Sequence, residues 1–344
     1  CMQHLQLNVD QSRAERRIKL QSDFLNGGLT GAFEWRTLGV TLRRFGHRLL
    51  PSFVPMPEQE KEGANNLDFY LYVMNTDTII HALGMEMSVP KRQTLKGYIH
   101  DATNRYELQA CVPSIEKGNT LWRDVTLSVD NSRGEGRLAF STTKQILNTD
   151  STKLVVGDVA GLFTTVARND SLLTNLRFGE VAADHDDADI QIATHLTRYR
   201  ERPLIGVHIE PSAFYLGDSL WTVADSHIEY NAADTTLSVY DFDVRTASQG
   251  IHVDGMASTR AWDSIQVQLQ DVDLYYLLRF IELEEALQVT GRVSGWATLY
   301  SLFSTPMFAA NLYIPDGYLN SSYLGEVSAR ATLDREHERI VIDA

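Results

Sequence analysis

A strict alternation of apolar and polar side chains is the sequence feature that most restricts this fold. Between Ile265 and Gln270 three aliphatic residues alternate with three glutamines, and Val125 to Asp130 alternates in the same way with threonine, serine and aspartate. Successive side chains of an extended strand point to opposite faces, so the pattern predicts strands with one apolar and one polar face. Such strands need a sheet whose apolar side is shielded from water.

Segments of this kind recur along most of the 344 residues. Between Gln93 and Asp254 turn residues separate them about every 8 to 12 residues, a spacing typical of an antiparallel meander. The helices that parallel βαβ units require are missing there. A closed barrel would hold only part of so many strands, and a flat sheet would expose its apolar face. We therefore predict a mostly β fold: an elongated antiparallel sheet folded over on itself, solenoid-like, with an apolar groove and a few short helices.

Three short helices are predicted, at Leu38 to Leu50, Thr78 to Leu83 and Leu274 to Leu287. The first and the third each have an apolar face at helical spacing. In the first helix this face is formed by Leu38, Leu42, Phe45 and Leu49. In the third it is formed by Leu274, Leu277, Leu278 and Ile281. The second and third each follow a strand and an acidic residue and precede a glycine, which indicates a weak internal repeat.

The first helix carries the one concentrated basic patch of the chain, formed by Arg36, Arg43, Arg44 and Arg48. Two interpretations are open. The arginines either are solvated on a helix that covers the end of a sheet, or they contact anionic lipid headgroups.

The positions of prolines and charged residues predict three segments. Pro51, Pro55 and Pro57 precede a charged run and form the only obvious stretch of linker composition. We expect a β segment with the basic helix at 1–62, a β-meander at 63–204 and further β repeats at 205–344, all within one continuous body. The glycine pair at Asn26-Gly27-Gly28 predicts a hairpin turn.

Composition limits the class of partner. A net charge of -14 argues against nucleic acid and against binding an anionic membrane through the whole surface. Cys1 and Cys111 are too few for a disulfide framework, and a single bridge between them is left open. The sequence begins and ends beside strand-like segments, so we expect a fragment. It shows no signal peptide and no run of ~18 apolar residues, and we expect any anchor or export signal to lie outside it.

Motifs for catalysis or metal binding are scarce. The acidic cluster at Asp184 to Asp189 lacks the glycine turn and final glutamate of an EF-hand loop, so it is interpreted as a solvated turn. His252 and Asp254 share a face of one strand and are interpreted as a surface pair. Cys111 has no histidine at a catalytic spacing. We predict no enzyme, no catalytic residue, no metal and no cofactor.

The predicted apolar groove is lined by the alternating strands and by the third helix, that is, by Val125, Leu127, Val129, Ile190, Ile192, Ile265, Val267, Leu269, Leu274, Leu277, Leu278 and Ile281. A groove of this kind favours a hydrophobic ligand such as an acyl chain.

The C-terminal part of the chain resembles the TamB family of AsmA-like proteins. The resemblance rests on VTGRVSGWATL from Val289, TPMFAANL from Thr305, Leu319-Asn320 and LGEV from Leu324, which follow the order and spacing of that family's repeat. It extends over Ile205 to Ala344. Residues 1–204 are similar to that family in their general pattern but do not contain its motif.

The resemblance implies a β-taco with an apolar interior in a periplasmic protein that is anchored, at full length, in the inner membrane of a Gram-negative envelope. It further implies bridging of the inner and outer membranes, conduction of phospholipids, assistance in outer-membrane protein assembly, and a barrel partner of the insertase type such as TamA. It supplies no catalytic residue.

Two alternatives are open. A structural or adhesive β-solenoid would use the same strands around a packed interior. A carbohydrate-active or metal-dependent enzyme would need clustered carboxylates with displaced pKa values, for which the sequence offers only Asp184 to Asp189.

Overall fold

The computed structural model divides the chain into two compact units, residues 1–189 and residues 190–344. It describes residues 5–12, 15–57, 65–74, 80, 87–89, 92–118, 120–131, 133–146, 159–180, 188–216, 219–274, 289–303, 306–319, 322–334 and 339–343.

The first unit is an antiparallel meander in which each strand pairs with the next along the chain. A helix, α1, lies between the third and fourth strands. The elements are β1 (Leu5–Gln11), β2 (Arg16–Ser22), β3 (Leu25–Ala32), α1 (Trp35–Leu49), β4 (Asn66–Val73), β5 (Gln93–His100), β6 (Arg105–Lys117), β7 (Thr120–Asp130), β8 (Gly136–Ile146), β9 (Val159–Arg168) and β10 (Ser171–Glu180).

The second unit is also antiparallel, and its elements are β11 (Ala188–Tyr199), β12 (Arg202–Ile209), β13 (Ser212–Leu216), β14 (Ser219–Val223), β15 (Ser226–Asn231), β16 (Thr236–Arg245), β17 (Gly250–Ala257), β18 (Ser264–Asp273), β19 (Val289–Thr290), β20 (Arg292–Tyr300), β21 (Met307–Leu319), β22 (Ser322–Asp334) and β23 (Arg339–Asp343). The meander skips the β13–β14 hairpin, so that β12 pairs directly with β15, and β14 pairs with β16. It also skips β19, so that β18 pairs directly with β20.

The predicted mostly β, antiparallel fold is confirmed, and so is the first predicted helix, which runs from Trp35 to Leu49. The helices predicted at Thr78 to Leu83 and Leu274 to Leu287 fall almost entirely outside the described residues. The folded-over shape, the groove and the segment boundaries at 62 and 204 stay predictions.

The predicted turn at Asn26-Gly27-Gly28 is wrong, because these residues lie inside β3 and pair with β4. The chain reverses two residues earlier, where the Ser22 hydroxyl accepts a hydrogen bond from the Leu25 N–H at 2.9 Å. The glycines serve packing instead: a Cβ on Gly28 would lie 2.4 Å from the Tyr70 ring, which crosses over it.

Three aspartates with left-handed backbone mark places where strand pairing shifts register. Asp124, Asp241 and Asp271 have φ of 51°, 50° and 50°, and each lies within a register shift of its strand pair. Aspartate tolerates this conformation better than most residues. At the third shift the extra residue lets Leu269 and Val272 pair with Gly295 and Val293. These three aspartates are therefore bulge residues.

Helix α1 lies across one end of the first sheet, held by polar contacts along its inner side. Asn65, which is 1% exposed, donates to Thr41 Oγ1 at 2.9 Å and accepts from the Glu34 N–H at 2.8 Å. Asp101, just after β5, accepts from Thr41 at 3.0 Å and from Arg44 at 3.2 Å. At the far end of the helix, the Leu49 carbonyl accepts from the Asp170 N–H at the β9–β10 turn.

The buried side of α1 differs from the predicted one. Phe45 is buried against Tyr106, with ring centroids 4.8 Å apart, but Leu42 is 56% exposed and Thr41 takes the buried position at 1%. The prediction for Leu42 is wrong because the surface beneath the helix is polar: Asn65 and Asp101 need a hydroxyl partner, which leucine cannot supply.

We expect Asn65→Ala to lower the free energy of unfolding by about 1–3 kcal/mol, because it leaves the buried Thr41 hydroxyl and the Glu34 N–H without this partner. Denaturant unfolding followed by far-UV circular dichroism measures the change. Asn8→Ala, at an exposed asparagine of β1, is the control and should change little. Equal losses in the two variants would contradict the role of Asn65.

Gly295→Ala should destabilise the protein by about 1–3 kcal/mol, since its φ of +140° disfavours a side chain and its Cβ would meet the Asn311 carbonyl oxygen at 2.1 Å. Gly206→Ala, where the nearest atom lies 3.6 Å away, is the matched control and should be tolerated. Thermal or denaturant unfolding compares them; a Gly295→Ala protein as stable as the control would refute the close approach of β20 and β21.

Candidate functional site

One face of the first sheet carries an unbroken row of apolar residues across all ten strands. Directly paired residues of neighbouring strands share a face. The pairings therefore align one residue from each of β1 to β10, namely Leu7, Leu20, Gly27, Leu71, Leu95, Ala110, Leu127, Phe140, Phe163 and Leu176. A parallel row two residues along, from Val9 through Phe69 and Leu108 to Leu138, is apolar too. We call this surface the apolar face.

Much of the apolar face is only half-buried among the described residues. Leu7 is 60% exposed and Phe140 37%, and most of the aligned side chains between them are intermediate. Only a few hydrophobic side chains of this unit are fully buried in its described part; they include Phe33, Phe45 and Leu67, near the end of the sheet that α1 covers. The apolar face thus keeps surface available for a hydrophobic ligand.

The opposite face of the same strands is mainly polar. The intervening row includes Asn8, Lys19, Lys96, Gln109 and Ser128. The predicted alternation is therefore confirmed for these strands, and it separates two surfaces of different chemistry.

The predicted groove residues on β7 and β11 are half-buried on their own strands. Val125, Leu127 and Val129 are half-buried on the apolar side of β7, and Ile190 and Ile192 are half-buried on β11. Whether residues of the two units share one interior stays a prediction. The predicted helix residues Leu277, Leu278 and Ile281 lie outside the described residues, and Leu274 is the first helical residue after β18.

In the second unit part of the apolar side is packed. Ile265 is 5% exposed in a cluster with Val239 and Ala257, against which Phe242 and Leu302 pack. Val267 and Leu269 on the same side of β18 are half-buried, and Gln266, Gln268 and Gln270 are exposed on the other side, as the alternation predicts.

The polar side of the second unit contains an ionic cluster that the sequence did not reveal. Asp243 on β16, 8% exposed, accepts hydrogen bonds from the Arg245 guanidinium through both carboxylate oxygens. His252 Nδ1 on β17 lies 3.5 Å from the same carboxylate. His252 thus faces Asp243 across the strands, and Asp254 instead accepts from the Asp241 N–H.

The hydrogen bonds from Arg245 hold the pKa of the Asp243 carboxyl below its usual range; burial opposes this, and the charges of Arg245 and His252 add to it. The cluster borders a shallow open depression of about 860 Å³ that also includes Gln268 and Trp296. A carboxylate so stabilised in its ionised form is a poor general acid or base at neutral pH, because proton transfer works best with a pKa near the working pH.

The predicted headgroup arginines divide into two kinds. Arg44 is engaged with Asp101, whose side chain is 7% exposed. Arg36, Arg43 and Arg48 are exposed, and none forms an ion pair with a described residue.

Within the described residues, no group of three or more histidine, cysteine or acidic side chains is placed to hold a metal ion. In the same part of the chain, none of the helices combines the length and apolar character needed to cross a membrane. Residues 184–187 of the acidic cluster and Cys1 lie outside that part; Asp189 is exposed, and Cys111 is a half-buried free thiol.

The fold defines an antiparallel β protein with a long apolar sheet face. Comparison of the chain with known protein families, with curated proteins and with solved structures found no match. The resemblance to the TamB family therefore stays a prediction.

Asp243→Asn should destabilise the protein at neutral pH and much less in acid. A depressed folded-state pKa contributes stability above the unfolded-state pKa of about 3.9, and this contribution disappears as the pH falls through the folded-state pKa. Denaturant unfolding at neutral and at acidic pH tests the sign. Glu210→Gln, at an exposed carboxylate of the same unit, is the control. If Asp243→Asn loses as much stability in acid as at neutral pH, the result would contradict a stabilising role for the ionised carboxylate.

Proposed function

We propose that the protein binds the acyl chains of phospholipids along the apolar face and passes them along it without catalysis. The observation that supports this best is the row from Leu7 to Leu176, which stays apolar through ten paired strands while many of its side chains remain half-exposed. Soluble proteins rarely leave a contiguous apolar surface of this extent without a ligand or partner.

The dimensions suit an acyl chain. Strands lie about 4.8 Å apart, so ten of them span roughly 43 Å along the sheet, against the ~15 Å thickness of one leaflet of a bilayer core. Burying a methylene contributes ~0.8 kcal/mol, so a chain of ~16 carbons gains roughly 13 kcal/mol before ordering costs. Since the row has no charged interruption, a chain that slides along it exchanges one apolar contact for another.

We further propose the setting that the resemblance implies: a periplasmic protein, anchored in the inner membrane at full length, that bridges inner and outer membranes. In this proposal it conducts phospholipids, assists outer-membrane protein assembly, or does both, with an insertase-type barrel such as TamA as partner. The residues that carry the resemblance span Val289 to Val327, in β19 to β22.

The second candidate is a structural or adhesive β-solenoid with a packed interior. The cluster of Val239, Ala257 and Ile265 favours it for part of the second unit, because a packed core leaves no room for an acyl chain. The half-exposed apolar face of the first unit favours the lipid-binding function.

Leu127→Asp should abolish or strongly reduce phospholipid binding, because it places a charge in the middle of the apolar face. Ser128→Asp introduces the same charge on the opposite side of the same strand and is the matched control. Native mass spectrometry and lipid extraction of the purified proteins measure bound phospholipid, and circular dichroism checks folding.

If the wild-type protein carries no phospholipid even after incubation with vesicles, this result would favour the β-solenoid. Equal lipid content in folded Leu127→Asp and Ser128→Asp proteins would show that the apolar face is not where lipid binds.

A further inference from the structure

The outward side of α1 carries exposed apolar and basic residues that are not needed to cover the end of the sheet. Trp35 is 60% exposed and Leu42 is 56% exposed, although buried positions for apolar residues exist on the same helix. The two residues are seven apart, so they lie on one side of the helix, two turns from each other. Arg36 and Arg43 have the same spacing and are both exposed, which sets a basic row beside the apolar one.

The inner side of α1 fixes the direction in which this surface faces. Thr41 and Phe45 are buried, and Arg44 is held by Asp101, so the helix cannot rotate to bury Leu42 without breaking these contacts. Trp35 stacks edge-on against Phe33, with ring centroids 5.1 Å apart, which orients the indole. The outward surface is therefore presented by a rigid helix about 22 Å long.

The charge of this region is opposite to that of the whole chain. Residues 15–57 contain seven arginines and lysines and three acidic residues, while the chain has a net charge of -14. Among the described residues no carboxylate pairs with Arg36, Arg43 or Arg48. Arg36 and Arg43 lie beside the exposed Trp35 and Leu42, and together these residues are complementary to a surface that is anionic outside and apolar beneath.

We propose that the outward surface of α1 binds the surface of an anionic phospholipid bilayer. The arginines contact the headgroups, while Trp35 and Leu42 enter the interface, where tryptophan is favoured. An acidic protein would also match the arginines, but a basic row beside exposed tryptophan and leucine is the arrangement that amphipathic helices use at a bilayer interface. The inference does not depend on lipid binding by the apolar face.

Vesicle flotation tests the proposal with phosphatidylcholine vesicles that contain or lack phosphatidylglycerol. We expect binding only to the anionic vesicles, and weaker binding at high salt because exposed charges are screened. Each arginine near an anionic surface strengthens binding roughly five-fold, so Arg36→Gln with Arg43→Gln should weaken it about 25-fold. Arg123→Gln with Arg133→Gln, two exposed arginines of the same unit, is the charge-matched control and should bind nearly as wild type does.

A second pair of variants separates a membrane from an acidic partner. Trp35→Ala should weaken vesicle binding several-fold, whereas Trp262→Ala, at a tryptophan that is 70% exposed elsewhere, should not. Equal binding to neutral and anionic vesicles, or equal loss in the two arginine double variants, would overturn the proposal. So would binding that needs the arginines but not Trp35.

Leu127→Asp keeps this test independent of the function proposed above, because the surface contact should survive that variant while lipid uptake by the apolar face is lost.

Discussion

The cross-strand register is the constraint on which the rest of this structure depends. Side chains repeat every two residues along a strand, so a slip of one residue between two strands would move a whole apolar set to the other side of the sheet. In the first unit nine successive pairings keep one row apolar from Leu7 to Leu176. At three of the irregular pairings, an aspartate with left-handed backbone takes up the extra residue: Asp124 in the first unit, and Asp241 and Asp271 in the second.

The two units use this alternation in different ways. In the second unit the apolar side forms, in part, a packed cluster around Ile265. In the first unit some of the described fully buried hydrophobic residues, among them Phe33, Phe45 and Leu67, lie near the end of the sheet that α1 covers, and much of the apolar face is half-exposed. Packed side chains stabilise a fold, whereas exposed apolar area is costly unless something covers it. The lipid-binding proposal rests on that difference.

Helix α1 shows how polar contacts can decide which side of an amphipathic helix is buried. Asn65 and Asp101 lie beneath the helix, and their need for hydrogen bonds turns Thr41 inward and Leu42 outward. The same contacts neutralise Arg44 and leave Arg36 and Arg43 on the outward surface. The two interpretations of the basic patch are thus compatible, because the helix covers the end of the sheet and still presents arginines to solvent.

The sequence by itself determined the local features of this protein. Alternation along β7 and β18 predicted their strands and faces, and helical spacing predicted α1, because both patterns depend on backbone geometry within a few residues. Only the tertiary structure decided what depends on distant residues. Gly28 lies inside a strand beneath the Tyr70 ring, and Asp243 meets His252 because β16 and β17 pair at these two residues. The single sequence carries no signal for such contacts, since each partner is acceptable in many other surroundings.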